Sequence, residues 1–165
     1  VESHRAAPCL DIRAVDPDVR ERVVAHVRAV YRWIDRRVDR AARSGGNSGC
    51  RACGRCCDFE TYDHRLYVTA PELLYFMSTL TPENLRAMPN GICPYRVGTR
   101  CAVYEHRFAG CRIFGCRGPL RVDEQAALSE RALRCLKAIG HRYGLPCVYT
   151  DLKTALNSLH RAPET

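Results

Sequence analysis

Several features that would settle a function at once are missing from these 165 residues. No apolar run comes near the ~20 residues of a membrane-spanning helix, and Val1 to Leu10 hold no apolar signal core. The expectation is a cytoplasmic protein with no membrane partner. No Ser-His-Asp set stands out, no glycine-rich phosphate loop follows a strand-like run, and there is no H-E-x-x-H helix. Internal repeats and low-complexity tracts are also lacking. Lysine is nearly absent, with Lys137 and Lys153 the only two, so the net charge of +8 is carried by arginine. A basic balance can signal an acidic or nucleic-acid partner. No strip of interleaved aromatic and basic residues accompanies it, and ligand thiolates would offset much of the charge, so nucleic acid is the lesser reading.

Cysteine is what abounds: eleven in all. Four lie in one octapeptide, C-R-A-C-G-R-C-C, at Cys50, Cys53, Cys56 and Cys57, followed by Cys93, Cys101, Cys111 and Cys116. A chain of this length can bury a core without covalent staples. An odd total leaves one cysteine over in a fully paired framework, and the adjacent pair Cys56 and Cys57 crowds it further. A metal site explains the density better. In a C-x-x-C turn both sulfurs face one point, as in thiolate zinc sites and iron–sulfur centres. Adjacent cysteines do not readily serve one tetrahedral ion, so Cys56 and Cys57 are expected to serve different metals or irons, or one is spare. Eight thiols make two four-cysteine sites the simplest arithmetic. Both zinc and iron–sulfur clusters accept an all-thiolate set. The spacing favours iron–sulfur, [4Fe-4S] first, with zinc as the alternative.

The outlying cysteines have blander roles available. Cys9 reads as a surface or packed thiol, Cys135 as a buried thiol next to a helical stripe, and Cys147, just after that helix, as a buried thiol with approach to the cluster as its alternative. His64, His106, His141 and Asp63 lie near the cysteine region, but an isolated histidine is more often a solvated polar residue than a ligand. No catalytic residue is assigned, and whether the chain is an enzyme stays open.

The surrounding sequence reads as mainly α. The whole chain is expected to form a single domain: a long N-terminal helix over 16–43, the cysteine region over 50–116, and C-terminal helices over 122–160. Asp16 offers an N-cap ahead of Pro17, and Val23, Val27, Val30, Ile34 and Val38, with Tyr31 alongside, recur at helical spacing. The opposite face, with Arg32, Asp35, Arg36, Asp39 and Arg40, reads as solvated. Trp33 reads as a core edge, and Ser44 to Gly49 as the flexible end of the helix. Leu66-Tyr67-Val68 is a short extended run. Thr69 and Glu72 form a capping box for a helix through Leu80, and Thr81-Pro82-Glu83 starts a further turn. Gly98-Thr99 sits at the tip of a candidate hairpin between Cys93 and Cys101. Cys111 and Cys116 fall in a glycine-bearing loop. Asp123 is expected to cap a helix along Leu128, Ala132, Leu136, Ile139 and Tyr143 that stops at Gly144. Thr150 or Asp151 should cap a last helix through Leu152, Leu156 and Leu159.

Residues 50 to 116 resemble the YkgJ-type cysteine-cluster family, described as a zinc- or iron-chelating domain. Its pattern opens C-x-x-C-x-x-C-C and continues with C-P, a C-x-[IV]-Y segment and C-R. Here these are Cys50 to Cys57, Cys93-Pro94, Cys101-Ala102-Val103-Tyr104 and Cys111-Arg112. The chain departs from the pattern at Arg107-Phe108, where the family commonly has Arg-Pro, and at Cys116, where many members show a proline. The resemblance implies metal chelation by the clustered cysteines. A similar cluster occurs in flagellin lysine-methylating enzymes, but no cofactor loop is found here and methylation is not carried over. Three functions compete: an iron–sulfur protein for electron transfer or cluster handling, a structural zinc module with a basic surface for a protein or nucleic-acid partner, and a metal-dependent enzyme.

Overall fold

The computed structural model describes residues 12, 14–44, 53–114 and 118–161. It is mostly helical, with two small antiparallel strand pairs. Helix α1 runs over Pro17–Arg43, strand β1 over Tyr67–Thr69, α2 over Ala70–Thr79, β2 over Arg96–Val97, β3 over Arg100–Cys101, α3 over Ala109–Ile113, α4 over Val122–Arg142, β4 over Tyr149–Asp151 and α5 over Leu152–Arg161.

Helix α1 begins as its sequence dictates. The Asp16 carboxylate accepts from the N–H groups of Asp18 (2.9 Å) and Val19 (3.2 Å), and Pro17 fills a first-turn position that needs no donor. Val23, Val27, Tyr31 and Ile34 are buried, and Val30, Trp33 and Val38 pack at the core's margin. Tyr31 thus belongs to the buried stripe and does not merely flank it. Arg131 of α4 lies over the Trp33 ring. The face that reads as solvated is interrupted at Asp35, which pairs with Arg112 of α3 at 2.6 Å and not with its neighbours on α1. A contact 77 residues away in sequence cannot be read from helical spacing.

The centre of the molecule is α2, whose residues from Ala70 through Phe76 are all buried. A region that reads as loop-rich therefore contains the most enclosed helix of the chain. Glu72 explains how a carboxylate sits there. Its Oε2 accepts from the Thr69 N–H (3.0 Å) and the Thr69 hydroxyl (2.8 Å), while Oε1 accepts from the Ala109 N–H (2.9 Å) and the Tyr31 hydroxyl (3.3 Å). The capping glutamate is also the bolt joining α1, α2 and the start of α3. Burial raises its carboxyl above the ordinary value, and the four donors oppose that rise.

Strand β1 pairs with β4, with Val68 opposite Thr150, a partnership 82 positions apart that local sequence does not announce. The Leu152 N–H extends the pairing to the Leu66 carbonyl at 2.7 Å. Asp151, not Thr150, caps α5 by accepting from the Thr154 N–H at 3.0 Å. Leu152, Ala155, Leu156 and Leu159 then seal the core. On the same helix Asn157 grips the Met88 backbone, accepting its N–H at 2.8 Å and donating to its carbonyl at 3.1 Å.

Helix α4 starts at Val122, with Arg121 in the capping position, so Asp123 lies in the first turn and does not cap. Glu124 reaches back to the Arg121 N–H at 2.8 Å. Leu128, Ala132 and Leu136 face inward, and the helix gives way to Gly144 at φ 63°, a left-handed position that suits glycine. Cys135 is exposed on this helix and Cys147 is exposed beyond it, which corrects their reading as buried thiols. The 100° step per residue puts Cys135 just off the stripe. Among the described residues no helix is long and apolar enough to cross a membrane.

Candidate metal centre

The octapeptide closes in a turn. Gly54 takes φ 71°, and behind it Arg55–Cys57 form one 3-10 turn in which the Cys57 N–H donates to the Gly54 carbonyl at 3.1 Å. A β-carbon at Gly54 would press on Arg96 Nε at 3.1 Å, so the turn also packs against the hairpin. The Cys57 carbonyl accepts the Cys93 N–H at 2.8 Å, and Asp58 bridges to Ile92, which sets Cys57 and Cys93 side by side. Cys93 leads into the hairpin, where Cys101 stands opposite Arg96. Gly98, at φ 59°, takes the first loop position, where primed hairpin turns require a positive φ. The candidate hairpin is present. Cys111 lies on the short helix α3, not in a loop, and its neighbour Gly110 has no room for a β-carbon against the Leu66 side chain.

Five of the eight candidate thiols come within interaction range of one another. Cys56 and Cys57 each shift the other's acidity, and Cys93 shifts that of Cys57. Cys101 acts on Cys57, and Cys56, Cys57 and Cys101 act on Cys111, through space. Cys53 is exposed and is not among them. Cys50, Cys116 and the outlying Cys9 lie outside the described residues. Among the described residues no three His, Cys, Asp or Glu side chains stand in positions to hold one metal ion.

Crowding governs the acidity of these thiols. The hydrogen bond to Cys57, then burial, drives Cys56 far above the ordinary thiol range. For Cys57 the bond from Cys56 pulls down, but donation to Cys93, burial and the nearby sulfurs outweigh it and push the thiol up to about 11. Burial, then Cys56 and Cys57, raises Cys111. Arg107 opposes the rise at both Cys56 and Cys111. Its guanidinium is fixed over the Tyr104 ring, 3.5 Å from the centroid, and donates to the Tyr104 carbonyl at 2.8 Å. Bare thiolates are disfavoured in this environment, and a bound cation inverts that preference. The donor chemistry fits a thiophilic metal or cluster.

Two supporting residues had no role in the sequence reading beyond their place in the family pattern. Arg112, beside Cys111, has a nearly buried side chain that donates to the carbonyls of Arg107 (2.8 Å) and Glu105 (2.6 Å), pairs with Asp35, and covers the Tyr31 ring at 4.3 Å. It anchors the Cys111 helix to α1. Arg107 is the other, marked in the sequence only as a departure from the family pattern.

Of the polar residues near the cysteines, His141 is exposed on α4. His106 meets the Tyr75 hydroxyl through Nδ1 at 3.4 Å. Asp63 sits at φ 43° and turns the chain into His64. The His64 Nε2 lies 3.1 Å from the Cys56 carbonyl, and among the described residues its buried Nδ1 has no hydrogen-bond partner. Leaving such an atom unsatisfied costs about 1–3 kcal/mol.

Compared with known proteins, no family model matches this chain, and neither does any curated protein or solved structure.

Proposed function

We propose that the chain is a metal-binding protein in which Cys50, Cys53, Cys56, Cys57, Cys93, Cys101, Cys111 and Cys116 supply thiolates to iron–sulfur centres, [4Fe-4S] by preference, for electron transfer or cluster handling. The observation that carries this reading is the convergence of Cys56, Cys57, Cys93, Cys101 and Cys111 from three separate stretches of chain, with Cys57 and Cys93 held side by side by the Cys93 N–H bond to the Cys57 carbonyl (2.8 Å). The order of cysteine motifs shared with the YkgJ-type pattern supports it as well. When bound, such a cluster supplies one-electron chemistry, its potential set by hydrogen bonds to sulfur, nearby charge and solvent exposure. In this chain the Arg107 guanidinium favours negative charge on the sulfurs, and Arg112 holds Cys111 in register with α1.

Preparation of the full chain without air is the test, with absorption spectra and analysis for iron, zinc and acid-labile sulfide. The expected result is a brown protein containing iron and sulfide, bleached by Cys57→Ser. A colourless protein with zinc and no sulfide would replace the cluster with a structural zinc module, and a protein that takes up neither metal would end the proposal.

A further inference from the structure

We infer that Cys57 and Cys93 form a reversible dithiol–disulfide pair, oxidised by small disulfides of the glutathione class; the inference does not rest on the metal-binding reading. The backbone places the two residues. The Phe59 N–H donates to the Gly91 carbonyl and the Cys93 N–H to the Cys57 carbonyl, both at 2.8 Å, on either side of the antiparallel Asp58–Ile92 bridge. One step along that register, Cys57 stands across from Cys93, and side chains opposed in an antiparallel pair leave on the same face. Opposed residues joined by such a hydrogen bond have Cα atoms about 5.5 Å apart, inside the roughly 4.4–6.8 Å that a disulfide spans. The influence of Cys93 on the Cys57 thiol agrees with that nearness.

The other converging thiols are less well placed to pair. Cys56 and Cys57 adjoin in the chain, and consecutive Cα atoms, about 3.8 Å apart, fall short of the disulfide range. Cys101 faces Arg96 across the hairpin, and Cys111 lies on α3. A disulfide asks for two sulfurs only, which suits a place where, among the described residues, no three ligand side chains stand together. Cys57 and Cys93 are both half-buried, within reach of a small reagent.

The step is thiol–disulfide exchange. One protein thiolate attacks the small disulfide, giving a mixed disulfide and one released thiol, and the second protein sulfur then displaces the other half. Two protein S–H bonds and the reagent's S–S bond become one protein S–S bond and two small thiols. Two electrons leave the protein, and both protons end on the released thiols. The bridge ties the 55–57 turn to the segment leading into β2 and withdraws both sulfurs from any metal. A reversible bridge of this kind is the sort that a reducing compartment permits.

The test maps disulfides on the full chain. Reduced in the presence of chelator, it is exposed at neutral pH to glutathione disulfide, its remaining thiols are alkylated, and tryptic peptides are analysed by mass spectrometry without reduction. Cys93 is the only cysteine of peptide 87–96, while Cys56 and Cys57 share peptide 56–65. The expected first product is these two peptides joined, a link that dithiothreitol undoes and that fragmentation between Cys56 and Cys57 assigns to Cys57. The link should persist in Cys56→Ser and fall ten-fold or more in Cys57→Ser, with helical circular dichroism checking that both variants fold. A wild type that stays reduced, stops at a mixed disulfide or joins Cys93 to another cysteine first overturns the inference, and so does a link that survives in Cys57→Ser. Uptake of iron or zinc, which decides the metal-binding reading, leaves each of these outcomes unchanged.

Discussion

Replacing Glu72 by glutamine tests the account of the core most directly. Its two carboxylate oxygens receive four donors, two from Thr69, one from the Ala109 backbone and one from Tyr31, at a residue only 2% exposed. An amide keeps one acceptor oxygen and turns an NH2 group toward the other pair, so about two buried donors lose their partner. At roughly 1–3 kcal/mol for each buried group left unsatisfied, less what rotation of the Thr69 or Tyr31 hydroxyl recovers, the expected loss is about 2–4 kcal/mol. With a urea slope of ~1–3 kcal/mol per molar, the unfolding midpoint should fall by roughly 1–2 M at neutral pH. The pH dependence gives a second readout. Burial, the largest influence, raises this carboxyl in the folded state above 4.5. Its contribution is therefore fully present below the unfolded value and fades as pH rises through the folded one. Glutamine does not titrate, so the stability gap between wild type and Glu72→Gln should narrow as pH increases from below 4.5. A glutamine variant as stable as wild type, or a gap that widens with pH, would refute the reasoning.

Arg112→Lys should behave almost as badly as Arg112→Ala, losing about 2–3 kcal/mol in denaturant titrations, because an ammonium cannot serve two carbonyls, Asp35 and the Tyr31 face together. Equal stability of the lysine variant and wild type would contradict that. Gly110→Ala drives a β-carbon into Leu66 and should cost about 1–3 kcal/mol, with Leu66→Ala in the same chain recovering part of the loss in a double-mutant cycle. Strict additivity of the two changes would mean that they do not meet. Removal of metal by chelation should leave most of the helical circular dichroism, since α1, α2, α4 and α5 share an apolar core, while protease cutting within 53–66 and 90–106 speeds up. Collapse of the helical signal would show that the core depends on the metal.

What the sequence revealed was governed by local rules. The Asp16 cap, the α1 stripe, the Thr69–Glu72 capping pair, the Gly98 hairpin and the α5 leucines all follow from residues a few positions apart. Long-range partners were hidden. The sequence offered Glu72 as a cap but not as the shared acceptor of Tyr31 and Ala109, and Asp35 as a solvated charge but not as the counterion of Arg112. The β1–β4 pairing was missed because three-residue strands carry too little alternation to register, and because the run before α5 already had a reading as a cap. At the candidate site, motif order singled out the cysteines, yet spacing could not tell that Cys53 is exposed while Cys111 sits on a helix.

Each member of the β1–β4 pair runs without a linker into a ten-residue helix, β1 into α2 and β4 into α5. The first of these units emerges from the ribosome some eighty residues ahead of its counterpart. Until Tyr149 to Arg161 arrive, its ladder groups have no mate and the core lacks Leu152, Ala155, Leu156 and Leu159. A chain cut short before residue 149 should be a poor folder and a ready target for proteases and aggregation, even with every cysteine of the 50–116 stretch in place.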